Sequence, residues 1–516
     1  MGGPVALDFT KYPIPTQAFI GGKYVDSKDA EKHELRSSVN DEVLTSDLQW
    51  ASTEDVETVV AAAKSGLAAW GKVPNTQKRD IMVKFASLVR ENISQLAWLE
   101  AVLVGKDPRI GNFGINEVAE LFICTYFPMV NTCYLAVADV IWRWLMFYPS
   151  DYGNIIHQFH GQVQTPHDDG TLEYVIRQPF GVVAGITPFN EPLLTFAMKV
   201  APAIAAGNAI VLKASEQNPL STLFLASLTK EAGFPDGLIN VLTGGADVGS
   251  ALASHMKIRM ISFTGSIQVG KLVQQAAARS NLKKVTLELG GKSPVIVFQD
   301  ADLEKASKMS AAFLALNGQG CLLGTRMYVH EDVAQEMITR MKGIAEYMGT
   351  TLGSDPLDPS TMTSPLFNHR QKDVVLKYIE EGKKEATLLT GGSAVGEKGC
   401  YIQPTIFVNP SKSAKVLHEE IFGPVLTIVT FKDEQEVLDM ANDTEYGLAA
   451  YVHTKDLGRA LRFTKSLEAG MIAVNSSMAY DRARPFGGWK QSGQGYENGV
   501  AGLEDWSQTK SVLLSI

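Results

Sequence analysis

The chain has 516 residues, of which 45% are hydrophobic and 20% charged, and its formal net charge is −9. That length exceeds what one ordinary core organises and predicts two or three domains, while the balance excludes a disordered or fibrous chain. The negative charge leaves no basic footprint for nucleic acid. Four scattered cysteines, Cys124, Cys133, Cys321 and Cys400, with no CxxC pair and no clustered histidines, suggest neither a disulfide framework nor a metal site. A reducing, cytoplasmic setting is expected, and the N-terminal MGGPVALDFTKYP carries neither a secretory nor a myristoylation pattern.

From Glu54 to Val104 apolar residues recur at three- and four-residue spacing, which predicts helices interrupted near Gly66, Gly71, Pro74 and Asn75. Leu121 to Ala138 is an uncharged run of 18 residues, the minimum for a membrane span. Pro128, Asn131, Thr125 and Thr132 dilute it, so a buried helical stretch is expected rather than a membrane contact. From Val182 the texture changes. Short, almost wholly apolar runs (VVAGI, AIVLK, INVL, RMISF, KVTLEL, PVIVF) alternate with longer helical stretches, the pattern of parallel βαβ units buried on both faces. A second α/β stretch runs from about Asp302 to Asn475, and the chain ends in a strand-like run. Glycines follow several of the predicted strands, at Gly244–Gly245, Gly265 and Gly290–Gly291. Ligands of open α/β sheets bind at those strand ends.

Five places there carry side chains suited to chemistry. Asn190, in ITPFNEP, is either a turn residue or an amide donor to an oxyanion. Lys213 and Glu216, in VLKASEQNP, are either ribose contacts or solvated charges. In FTGSIQVG, Gly265, Ser266 and Gly270 sit at a strand-to-helix turn whose free N–H groups attract phosphate, though the spacing is not GxGxxG. Glu288, in TLELGGKSP, is either a solvent-facing charge or a general base aimed into a cleft. Cys321, in LNGQGCLLGTR, is either a small buried hydrophobe or a nucleophile on a glycine-rich turn.

Taken together and in order, ITPFNEP, LKASEQNP, FTGSIQVG, LELGGKSP, GQGC, EEIFGPV and PFGGWKQSG closely resemble successive motifs of the aldehyde dehydrogenase superfamily, from about Phe19 to the C-terminus. The resemblance implies an α/β fold with a Rossmann-like cofactor domain (1–161 and 181–291), an α/β catalytic domain with a nucleophilic Cys (292–490), and a small oligomerisation sheet from segments 162–180 and 491–516. A hairpin around His167, Asp168, Asp169 and Gly170 is expected within Gln162 to Pro179, and exposed strands of this kind imply a homodimer or homotetramer.

Roles follow from the same resemblance. Cys321 is the implied nucleophile, Asn190 with the Cys321 N–H the oxyanion hole, and Glu288 the base that activates the hydrolytic water. Lys199 and Glu497 match positions that carry protons away. NAD, with NADP as the variant, is the implied cofactor. Its contacts fall on Ile186, Phe189, Lys213, Glu216, Gly265, Ser266, Val269, Gly270, Leu289, Glu420 and Phe422. The chain departs from the family pattern at Phe189, where Trp is usual, at Glu191, where an aromatic is usual, and at Tyr496, where Arg is common. Between Lys106 and Gly161 it is longer than the pattern by about two dozen residues. Met478 to Arg484 should line the mouth of the substrate tunnel, with Arg482 and Arg484 expected to be solvated. The rival readings are a coenzyme A-acylating relative, in which no carboxylate is needed at position 288, and a catalytically silent relative that kept the fold.

Overall fold

The architecture is that of a computed structural model, which describes residues 14–29, 31–122, 162–163, 171–358 and 360–515. Helices occupy Thr53–Trp70, Asn75–Glu91, Ile93–Val104 and Pro108–Phe122, so the breaks fall where Gly71, Pro74 and Asn92 stand. The first is nucleated by a capping box, in which the Ser52 and Asp55 side chains each bond the other's backbone N–H. Gly66 interrupts its apolar face for a packing reason: a Cβ there would lie 2.2 Å from the Leu238 nitrogen, so helix and sheet-side backbone meet at van der Waals contact. Most of the Leu121 to Ala138 run lies outside the described residues. Among the described residues no helix is long and apolar enough to cross a membrane.

The alternating region forms two sheets. In the first, Val182–Ile186 lies at the centre between Ala209–Lys213 and Met260–Thr264, with Ile239–Leu242 and Lys284–Glu288 flanking them, all parallel. Ala18–Ile20 and Lys23–Val25 extend one edge as an antiparallel ribbon, and Gly493–Gln494 caps the other by pairing with Leu287 and Glu288. That last pairing corrects the sequence grouping, which placed 491–516 wholly with the oligomerisation segments. The five parallel strands are buried along nearly their whole length, as their continuous apolar runs require.

The second sheet runs in the order Thr387–Thr390, Thr405–Val408, Val425–Phe431, Gly324–His330, Ser293–Val297, Ala449–His453 and Met471–Val474, parallel except at its first strand. A third, separate sheet pairs Ser507–Ser515 antiparallel along the whole of Thr171–Pro179, with Gln162–Val163 on the far side. The expected hairpin and C-terminal strand therefore lie side by side, although the turn from His167 to Gly170 is outside the described residues.

In-register pairing aligns the carboxyl ends of the first sheet. Ile186 pairs with Lys213 and Phe263, and Thr264 with Glu288. A short stretch, Ser293–Val297, then carries the chain straight into the second sheet. The strand ends of the first sheet and the loops of the second therefore share one cleft.

Candidate active site

Cys321 reaches this cleft through a strained approach. Residues 311–318 wind as a 3₁₀ turn whose last three, Leu316, Asn317 and Gly318, are left-handed at φ 51°, 53° and 77°. Such a run in non-glycine residues is costly and holds only where packing over-determines it. The packing is present. A Cβ on Gly318 would lie 2.0 Å from the Gly423 carbonyl, and one on Gly291 would lie 2.3 Å from the Cys321 carbonyl. The Cys loop is thus pressed between the turn after Glu288 and the turn that carries Glu420 and Phe422.

The other implied residues converge on it. The Asn190 side-chain amide donates to the Gln319 carbonyl at 2.9 Å, which ties the ITPFNEP turn to the Cys loop and leaves its second N–H uncommitted among the described residues. Phe189 stacks on Phe367 at 3.6 Å between centroids and meets Phe422 edge-on. Glu288 is 2% exposed, not solvent-facing, and neither carboxylate oxygen has a hydrogen-bond partner among the described residues. Burial, reinforced by Glu497, lifts its pKa well above the ordinary carboxylate range. The Cys321 thiol is pushed up to about 12 by burial and by the facing Glu420 and Glu288 carboxylates.

Lys199 and Glu497 form a buried pair at 2.5 Å beneath Glu288. The Lys199 ammonium also donates to the Ser262 and Thr264 hydroxyls at 2.8 Å. Hydroxyls, ammonium and carboxylates therefore lie in one chain of polar atoms behind the base.

On the other side of the cleft stand the implied cofactor contacts. Ser266 caps the helix Ile267–Arg279, its hydroxyl accepting from Val269 N–H. Gly270 packs against Leu289, where a Cβ would lie 2.7 Å from Cδ2. Lys213 is buried at its strand end, with Ile186 beside it, and holds Glu216 at 3.1 Å. Glu420 reaches over Gly290, where a Cβ would lie 2.0 Å from its carboxylate, and accepts from Gly291 N–H at 3.0 Å. Burial lifts its pKa to about 7. Two carboxylates flanking a helix N-terminus suit a dinucleotide, since carboxylates accept from ribose hydroxyls and the helix end meets the pyrophosphate. NAD(P) thus fits the residues present.

One expectation needs correction. Arg482 is not solvated: it is 8% exposed and pairs with Glu117 at 2.7 Å, on the helix Pro108–Phe122. Arg484 is exposed, as expected. Asp41, His369 and Cys400, remote in sequence, bring potential metal-ligand atoms within 4.8 Å of one another. The Asp41 carboxylate there is already engaged by His369 at 2.6 Å and by Gly399 N–H at 3.0 Å. Sequence reasoning also passed over Glu100, Lys106 and Asn218, which surround the Asn190 turn from behind. The one local signal was a lone carboxylate in the apolar run LAWLEAVLV.

Comparison with known proteins agrees with this geometry. The profile of the aldehyde dehydrogenase family matches residues 24–129 and 146–512, so residues 130–145, within the over-long interval, fall outside the match. Aldehyde dehydrogenase 1 of Tanacetum cinerariifolium is 41% identical over 97% of this chain and 95% of its own. Among solved structures, the indole-3-acetaldehyde dehydrogenase AldA of P. syringae, in complex with NAD+, superposes with a TM-score of 0.88 at 34% identity, covering 98% of each chain. An NADP-dependent enzyme of E. coli superposes with the same TM-score at 33% identity, again over 98% of each chain. The chain belongs to the aldehyde dehydrogenase family, and is an NAD(P)-dependent enzyme that oxidises aldehydes to carboxylic acids.

Proposed function

We propose that the oxidation runs through a covalent adduct on Cys321, with Asn190 as oxyanion donor and Glu288 as the hydrolytic base. The observation that carries this reading is the buried Glu288 carboxylate, which faces the thiol and has no hydrogen-bond partner among the described residues. A carboxylate so placed is a strong base whose lone pairs no described residue engages. Cys321 loses its proton toward this base and its sulfur bonds to the aldehyde carbon, while the carbonyl oxygen takes the displaced electron pair. That oxygen meets the uncommitted Asn190 N–H and the Cys321 backbone N–H. NAD(P), when bound, accepts a hydride and so converts the adduct on Cys321 to a thioester. Glu288 sheds the thiol's proton toward the buried Lys199–Glu497 pair and then takes a proton from water, whose oxygen bonds to the thioester carbon. The carbon–sulfur bond breaks to release the acid. Lys199 and Glu497, hydrogen-bonded behind Glu288, lead the proton outward.

Glu420 and Phe422 would hold the nicotinamide ribose, Ser266 the pyrophosphate, and Lys213 with Glu216 the adenosine ribose. NAD is the preferred cofactor on this reading, because Glu216 accepts from ribose hydroxyls and opposes a 2′-phosphate. The C-terminal sheet supports assembly as a homodimer or homotetramer, and the sparse, scattered cysteines support a cytoplasmic setting.

The test is pre-steady-state. Glu288→Gln should slow the NADH burst and the steady turnover alike, each by roughly 10²–10⁴-fold, because the carboxylate serves both the thiol and the water. Cys321→Ala should give no burst while still binding NAD. A burst from the Cys321 variant would remove that residue from the mechanism, and a burst at the wild-type rate in Glu288→Gln would confine the carboxylate to deacylation.

A further inference from the structure

Behind the Asn190 turn lies a buried polar network that the mechanism above does not use. Lys106 follows the helix Ile93–Val104 by way of the left-handed Gly105. Its side chain is 3% exposed, and its ammonium lies 2.6 Å from Glu191 Oε2, 3.4 Å from the Asn190 carbonyl and 3.6 Å from Glu100 Oε2. Glu100, on that same helix, accepts from the Ser221 hydroxyl and from Asn218 Nδ2 at 3.3 Å. Asn218 Nδ2 also donates to the Phe189 carbonyl at 2.9 Å. Three successive residues of the turn are therefore gripped by one network. Asn218 holds the carbonyl of Phe189, while Lys106 holds both the carbonyl of Asn190 and the side chain of Glu191.

The network answers an electrostatic problem that Glu191 sets. Glu191 puts a carboxylate on the residue next to the oxyanion donor. Negative charge that develops on a substrate oxygen beside Asn190 would be opposed by it, and the opposition is strong where water is excluded. Gly114 leaves the space that this carboxylate occupies, since a Cβ there would lie 3.2 Å from Oε2. Burial disfavours the Lys106 ammonium, but the Glu191 and Glu100 carboxylates more than offset it, and its pKa is raised. Burial pushes Glu100 up, toward its neutral form. The Lys106–Glu191 contact at 2.6 Å is the shorter of the two ion pairs that Lys106 makes.

We propose that Lys106 is a positioning residue of the oxidation: it fixes the Asn190 turn and cancels the Glu191 charge, so that the Asn190 amide can stabilise a developing oxyanion. The proposal rests on Asn190 being the oxyanion donor.

The experiment measures the NADH burst rate constant with propanal and benzaldehyde as probes, alongside NAD affinity by calorimetry. Lys106→Met should slow the burst roughly 10- to 100-fold with NAD affinity unchanged. Lys106→Met combined with Glu191→Gln should recover most of that loss, because the uncompensated charge is gone. A burst at the wild-type rate in Lys106→Met, or no recovery in the double variant, overturns the proposal. Should Lys106→Met fail to fold, the double variant decides alone: within tenfold of wild type supports charge cancellation, and slower than that overturns it. Asn190→Ala separates the two layers. If it leaves the burst unchanged, the oxyanion assignment falls and the role of Lys106 with it. If it slows the burst while Lys106→Met does not, only the Lys106 proposal falls.

Discussion

Lys292 follows the Gly290–Gly291 turn with its ammonium nitrogen buried and without a hydrogen-bond partner among the described residues. Burial, with Arg326 adding repulsion, pulls its pKa from 10.5 down to about 7. The folded protein therefore binds fewer protons at this site than the unfolded chain between pH 7 and 10.5, so the site's contribution to stability rises with pH across that window. Lys292→Met keeps the volume and removes the titration. Urea unfolding at pH 7, 8 and 9 should find the Met variant the more stable at pH 7, with its advantage shrinking by about 1–3 kcal/mol by pH 9. A constant gap would mean that Lys292 keeps its proton in the fold. Cys321 presents the matching problem at the reaction centre. Burial and two carboxylates hold its thiol near 12, so its reactivity must come from a nearby base rather than from an electropositive surround.

On the proposed reading, strand ends carry the cofactor choice. The strand Ala209–Lys213 delivers Lys213 to the cleft edge, and the next turn returns Glu216 against it at 3.1 Å. A carboxylate in that position accepts from the ribose hydroxyls of NAD, whereas against a 2′-phosphate it sets like charges a few ångströms apart. In a partly buried site this costs on the order of 1–4 kcal/mol, or about 5- to 1000-fold in preference. Glu216→Ser should narrow the gap between the cofactors, mainly by lowering KM for NADP and freeing Lys213 to meet the phosphate. Wild-type kcat/KM values with each cofactor come first. A preference for NADP in the wild type would show that Lys213 already outweighs Glu216.

At the scale of the molecule, Ser507–Ser515 is an outer strand of the third sheet, paired on one side only among the described residues, and it leaves Leu513 61% and Leu514 42% exposed. An unpaired edge with bare leucines is costly in water and favours association with a second copy. Replacing both leucines by Glu should shift the assembly to smaller species in light-scattering chromatography, with the far-UV circular dichroism unchanged. A wild type that is itself monomeric at micromolar concentration would contradict this reading of the sheet.

Much of this was legible in the amino-acid sequence because its causes are local. Strands such as VVAGI, AIVLK and INVL declare themselves by unbroken apolar runs. The helices from Thr53 to Val104 do so by their spacing, and their breaks by Gly, Pro and Asn. The motif order singled out Cys321, Glu288, Asn190, Lys213 and Glu420. Asn190, Lys213 and Glu288 stand at or just beyond the carboxyl ends of parallel strands, which gather at one edge, whereas Cys321 and Glu420 stand just before strands of the second sheet. What the sequence could not determine is how charges separated by many residues pair. Nothing near Arg482 says that Glu117 will meet it, and nothing near Lys106 says that its ammonium will reach the turn 84 residues away. Nor does Gly493–Gln494 announce that it closes the edge of the first sheet. Those outcomes depend on how whole elements dock, because a buried charge takes whichever partner the packing brings within about 4 Å. Only the tertiary structure decides that.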